Sequence, residues 1–165
     1  MSGRETPATK SAARAGVRYA VHAYEHDPKA ASYGAEAADL LGLDPARVFK
    51  TLIADADSGL VVAIVPVGRQ LDLKALAAAA GAKKAAMADE KAAERATGYV
   101  LGGISPLGQR KQLPTYIDES ASRLDTIFVS AGRRGLEVEL APADLVELTG
   151  GKLVPIARDN DTAPL

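Results

Sequence analysis

Along residues 48–54 both faces of an extended chain come out largely apolar. Strand side chains alternate, so Phe49, Thr51 and Ile53 share one side and Val48, Lys50, Leu52 and Ala54 the other. A strand apolar on both faces belongs inside a sheet. The turn signal Asp57-Ser58-Gly59 follows, then a second apolar run over 60–67, and the pair predicts a hairpin. Upstream, 18–24 reads as a strand with Tyr19, Val21 and Ala23 on one face and His22 and Tyr24 on the other. Downstream, 113–118, 126–130 and 136–140 read as strands, with a short last one at 153–156.

Helices are marked by their punctuation. Thr6 before Pro7 reads as a cap and first helical residue, and Gly16 as the stop. A helix over 34–41 ends at Gly42, and Asp44-Pro45 opens a further helical turn. Asp72 caps a helix that Gly81 stops, and Asp89 starts one that Gly98 stops. Pro142 opens the last, closed by Gly150-Gly151. Residues 25–32, with Asp27-Pro28, read as a loop, 99–108 as a rigid irregular one, and 160–165 as a frayed tail. Helices and strands mix without regular βαβ alternation, which predicts an α+β fold around a mixed, mainly antiparallel sheet.

The 165 residues suit one domain, expected to span 1–165 with its core over about 6–157. Cysteine is absent, so no disulfide, thiolate nucleophile or cysteine–zinc site is available. His22 and His26 are the only histidines; on a strand and a loop they lack the helical spacing of a zinc pair, and either can serve as a general base. The longest apolar run, 60–67, is too short to span a bilayer, and the start shows no signal peptide. The expectation is a cytoplasmic protein with no membrane or metal partner. Lys and Arg number 20 against 21 Asp and Glu, a net charge of −1, so contact with nucleic acid has to be local or shared with a partner.

Three segments carry candidate chemistry. Lys50 sits on an apolar strand face, where its ammonium either reaches past an edge or sits in a cleft and meets an anion, a carbonyl or water. Gly102-Gly103-Ile104-Ser105-Pro106-Leu107-Gly108 can bring backbone N–H groups close to a phosphate or an oxyanion, or can simply be a tight connection. It lacks the spacing of a P-loop or a GxGxxG turn. Ser130-Ala131-Gly132-Arg133-Arg134-Gly135 offers a hydroxyl and two guanidinium groups, or a hairpin turn with solvated arginines. Nothing in the spacing of Ser105, Ser130 and the acidic residues resembles a nucleophile elbow.

Taken in order, four blocks resemble the YbaK family: His22-Ala23-Tyr24-Glu25-His26-Asp27-Pro28, Val48-Phe49-Lys50-Thr51-Leu52, the run from Gly98-Tyr99 through Gly108, and Ser130 through Gly135. The resemblance implies a sheet partly closed into a barrel with helices around it, similar to the editing domain of bacterial prolyl-tRNA synthetases. It implies removal of a wrong amino acid, cysteine above all, from aminoacyl-tRNA, with the substrate's own thiol attacking the ester. The alternatives are a deacylase for alanine or another small residue, and a non-catalytic module that binds RNA or a synthetase. It implies no cofactor, and help from prolyl-tRNA synthetase in a ternary complex. Lys50 matches the family's functional lysine. Tyr24, Tyr33, Thr51, Gly102, Gly103, Ile104, Ser105 and Ser130 fall at or near positions lining its substrate pocket. Tyr33 stands where phenylalanine is common, and Ala131 where a second glycine is common.

Overall fold

The β-strands pair in the register that the apolar pattern predicts. In the computed structural model, which describes residues 5–25, 33–57 and 59–159, β2 (Phe49–Asp55) runs antiparallel to β3 (Leu60–Pro66). Lys50 lies opposite Val65, and Thr51 opposite Ile64. The alternation sorts two cores: Phe49, Ile53, Val62 and Ile64 join the larger one, while Ala54, Ala63 and Val65 join a second on the other face. β3 continues in parallel to β6 (Thr115–Asp118), and β6 to β9 (Lys152–Val154). The two-residue strand β5 (Ala86–Met87) covers the far end of β2, so β2 is interior as expected. A separate antiparallel sheet has the order β1-β8-β7, from β1 (Tyr19–Ala23), β8 (Leu136–Leu140) and β7 (Ile127–Ser130). β4 (Gln70–Leu71) and β10 (Ala157–Arg158) form a two-stranded pair.

Capping residues set the helix ends. Thr6 closes a capping box with Thr9 at the start of α1 (Pro7–Ala15), which ends at Gly16 with φ 73°. The Asp72 carboxylate accepts from the Ala75 N–H at α3 (Leu73–Ala80), and the Asp89 carboxylate from the Ala92 N–H at α4 (Glu90–Thr97). α2 (Tyr33–Leu41) ends at Gly42, and α5 (Pro142–Thr149) at Gly150.

Three points depart from the expectations or add to them. Among the described residues no sheet closes into a barrel. The three-stranded and five-stranded sheets pack together in the larger core, and the strand bridge that joins them is a parallel one between Val48 and Phe128, where the Phe128 N–H reaches the Arg47 carbonyl. β7 ends in the turn after Ser130, so the pairing has no length over which to close. Asp44-Pro45 makes a single hydrogen-bonded turn rather than a helix, Arg47 N–H to Asp44 carbonyl. The short strands β4, β5 and β10 and a 3₁₀ helix (Glu119–Arg123) carry no pattern long enough to read. The predicted 25–32 loop and His26 lie largely outside the described residues.

Asp118 ties the C-terminal strands to the sheet. Its side chain is buried; one oxygen accepts the N–H groups of Ile156 and Ala157, and the other accepts that of Ser120. Asp118→Ala leaves three N–H groups without their acceptor and is expected to cost about 3 kcal/mol, read as a lowered urea midpoint.

Candidate active site

The bridge between the sheets aligns a row of side chains. Val48 and Phe128 share a face, and two residues further along each strand lie Lys50 and Ser130, on that same face by alternation. Ser130 pairs with Glu137 on β8, and Glu137 with His22 on β1. Tyr24 continues the ladder, its N–H reaching the Gly135 carbonyl, and sits on the same face diagonally from Glu137. Lys50, Ser130, Glu137 and Tyr24 therefore lie across one end of this surface. α2 covers it: Ala37 and Ala38 pack on Val48 and Phe128, with Tyr24 against them.

The electrostatics of the row are unusual. Lys50 is half-buried and makes no ion pair among the described residues; burial lowers its pKa from the usual lysine range. Glu137 is 6% exposed, and burial alone raises its carboxyl to about 8. Burial also raises the Tyr24 phenol, opposed by the Gly135 N–H and reinforced by Glu137 and Glu36. Glu139, on the same face as Glu137, behaves oppositely. The Thr126 hydroxyl donates to it at 2.6 Å, His22 contacts it at 2.9 Å and Arg47 lies 3.5 Å away; the Thr126 hydrogen bond leads in holding its pKa below the usual carboxylate range.

A raised carboxyl pKa has a consequence for stability. Between pH 4.5 and about 8 the folded protein keeps a proton on Glu137 that the unfolded chain has released. The stability contributed by that proton is complete below pH 4.5 and is lost as pH rises through about 8. Glu137→Gln is expected to flatten this slope, measured as urea midpoints at pH 5, 7 and 9.

The glycine loop packs against the turn that follows Ser130. A Cβ on Gly103 would stand 2.7 Å from the Arg133 Cα, and one on Gly132 would stand 2.8 Å from the Tyr99 ring. The Tyr99 hydroxyl donates to the Leu107 carbonyl at 2.6 Å, which fixes the loop on itself. Gly102 and Gly103 thus lie beside the turn at the Ser130 end of the row. Ile104 and Ser105 do not bring their side chains there. Ile104 is part of the larger core, and the fully buried Ser105 hydroxyl accepts the Leu107 N–H. The reason is local: the loop folds Ile104 and Leu107 into the core and turns its one hydroxyl onto its own backbone.

Thr51 points to the opposite face from Lys50, into the side of the larger core. Its hydroxyl is buried without a hydrogen-bond partner among the described residues. Ser130 is partly exposed, and its hydroxyl accepts the Gly132 N–H. Tyr33 opens α2, and its side chain lies outside the described residues. Glu137 is the residue that sequence reading missed. It sits in Leu136-Glu137-Val138-Glu139-Leu140, an alternation that reads as a strand with two solvated glutamates. Its place opposite Ser130 is the only signal, and it needs the register to be known. Among the described residues no cluster of three or more His, Asp or Glu stands ready for a metal, and no helix is long and apolar enough to cross a membrane.

The mixed sheet thus carries a half-buried lysine, a buried carboxyl and a glycine loop at one end. The family profile described as the aminoacyl-tRNA editing domain matches residues 27–148, and the chain belongs to that family. It is 47% identical over 120 residues to EbsC of Enterococcus faecalis, a candidate Cys-tRNA(Pro)/Cys-tRNA(Cys) deacylase, covering 72% of this chain and 73% of that one. It is 33% identical over 131 residues to the proline–tRNA ligase of Shouchella clausii, covering 78% of this chain and 23% of the ligase. In fold it matches the crystal structure of a candidate trans-editing enzyme for prolyl-tRNA synthetase, with a TM-score of 0.80 at 20% identity, over 96% of this chain and 99% of that one.

Proposed function

We propose that this protein is a free-standing aminoacyl-tRNA deacylase that clears cysteine from the proline tRNA. The observation that carries the reading is the 47% identity to a candidate Cys-tRNA(Pro)/Cys-tRNA(Cys) deacylase, joined to an unpaired Lys50 at the site. The chain has no cysteine, so the sulfur must come from the substrate. The substrate thiol loses its proton and attacks the ester carbonyl carbon. A C–S bond forms, the bond from the carbonyl carbon to the ribose oxygen breaks, and that oxygen leaves with a proton as the free tRNA hydroxyl. The amino acid departs as a thiolactone. The protein supplies position and charge.

In this reading Lys50 meets the terminal phosphate or the ester oxygen, and its depressed pKa reflects a cation waiting for an anion. Ser130 and the backbone N–H groups near Gly103 orient the carbonyl. Tyr24 and Tyr33 pack on the terminal adenosine or the amino acid. Thr51 faces away from Lys50 and backs the strand that carries the lysine.

The match to proline–tRNA ligase supports that synthetase as the partner that selects the tRNA, in the cytoplasm where charging takes place. A domain of net charge −1 has little means of gripping a whole tRNA. The test is deacylation of cysteinyl- and alanyl-tRNA(Pro), with and without proline–tRNA ligase. Cysteine is expected to be cleared and alanine retained, with poor discrimination between cysteinyl-tRNA(Pro) and cysteinyl-tRNA(Cys) until the ligase is added. Equal clearance of alanine would remove the thiol from the mechanism. Binding without turnover would make the protein an RNA- or synthetase-binding module.

A further inference from the structure

Glu137 has no role in the mechanism above, and its setting asks for one. It is 6% exposed, it stands in the row with Ser130, opposite it on the neighbouring strand, and burial disfavours its charged form. It is not a remnant of the outer surface, because Glu139, two residues on, is satisfied by Thr126, His22 and Arg47. A carboxylate so little exposed to water is costly by itself and gains from a cation brought beside it. Its row neighbours are Ser130 and His22, with Tyr24 on the diagonal, and Glu36 and Arg134 also act on the Tyr24 phenol. The histidine is already engaged with Glu139.

The row is polar in a definite direction. Lys50 stands at one side of Ser130 and Glu137 at the other, on adjacent strands about 4.8 Å apart, so cation and carboxyl are separated by about 10 Å of backbone. An aminoacyl ester has the matching polarity: an α-ammonium at one end, and an electron-rich ester and phosphate at the other. The ribose hydroxyls and the thiol are neutral and cannot draw the proton-bearing Glu137 into its charged form. The α-ammonium can, and every aminoacyl-tRNA carries it.

We infer that Glu137 binds the α-ammonium of the aminoacyl group, so that the site accepts only esters with a free amine and holds the carbonyl between Glu137 and Lys50. The inference rests on the deacylase reading and adds a requirement to it. The Tyr24 hydroxyl, beside Glu137, closes the same corner.

The test compares cysteinyl-tRNA(Pro) with its des-amino analogue, the 3-mercaptopropionyl ester, which keeps the thiol and adds no bulk. Wild-type protein is expected to clear the cysteinyl ester about 10- to 100-fold better in kcat/KM, the size of one charge-assisted hydrogen bond. In Glu137→Gln that ratio is expected to fall close to one, mainly through a raised KM for the cysteinyl ester, and in Glu137→Asp it falls between. A merely structural role would lower both substrates together and leave the ratio standing. Equal clearance of the two esters by wild type overturns the inference and leaves the deacylase intact. An unchanged ratio in both variants assigns the amine to another residue and overturns it as well. If wild type clears neither ester with the ligase present, the deacylase reading itself fails and the inference falls with it.

Discussion

Lys50→Met is expected to slow deacylation of cysteinyl-tRNA(Pro) by about 100- to 1000-fold, the range for loss of one group that stabilises developing negative charge. The same substitution is expected to leave the fold as stable as before, or slightly more so. Lys50 makes no ion pair among the described residues, and burial disfavours its charged form. Removing a desolvated ammonium relieves that cost, while the methionine retains the stem that packs beside Leu52 and Val65. A stability gain coupled to an activity loss is the signature of a group kept for its ligand. Lys50→Arg is not expected to rescue, because a planar fork cannot occupy the place of a point charge at a strand surface. Single-turnover deacylation and urea midpoints on the same preparations measure both halves. Undiminished deacylation by Lys50→Met removes the lysine from the mechanism.

The two carboxyls of β8 show how burial assigns different tasks to one residue type. Glu137 and Glu139 share a strand, a face and a chemistry, yet one is pushed up to about 8 and the other is held low. The difference lies in what crosses that face. Arg47, His22 and Thr126 gather at Glu139, whereas Glu137 is buried beside the Tyr24 phenol. The first is a structural charge network, which Phe128 extends by an edge contact with His22 and a face contact with Arg47. The second is a polar group held in readiness. His22 thereby acquires a structural role.

The sequence made the strand faces and helix ends legible because their causes are local. Thr6, Asp72 and Asp89 cap the helices they precede, and alternation assigns Phe49 and Lys50 to opposite faces whatever lies beyond. It made Lys50 legible because a charge on an apolar strand is visible without a partner. Closure of the sheet was not legible. It depends on how far β7 runs beside β2, and that is set by the turn at Ala131-Gly132, whose N–H groups go to Leu136 and Ser130. The inward turn of Ile104 and Ser105 was hidden for the same reason: a glycine-rich run shows that backbone comes close to something, without showing which side chains it tucks away. Glu137 was hidden because Leu-Glu-Val-Glu-Leu has one pattern for a solvated and a buried glutamate.

Two glycines of the 102–108 loop separate the site from the scaffold. Gly103→Ala would put a Cβ 2.7 Å from the Arg133 Cα and 3.2 Å from its N and C, all backbone atoms that no rotamer change can move aside. Either the loop lifts off or the turn after Ser130 shifts, and both carry proposed substrate contacts. Gly108→Ala meets the Pro7 carbonyl oxygen at 2.4 Å with φ at +66°, so it strains the junction with α1, away from Ser130. Overpacking of this kind costs about 1–3 kcal/mol at either position. The expected outcome is nevertheless divergent. Gly103→Ala is expected to lose about 100-fold in deacylation at a temperature where it is still folded, since displacement of a positioning group by about 1 Å suffices for that. Gly108→Ala is expected to keep its activity below a lowered melting temperature. Equal activity losses in the two variants, at matched folded fraction, would mean that the loop moves as one body and that Gly103 has no separate part in placing the carbonyl.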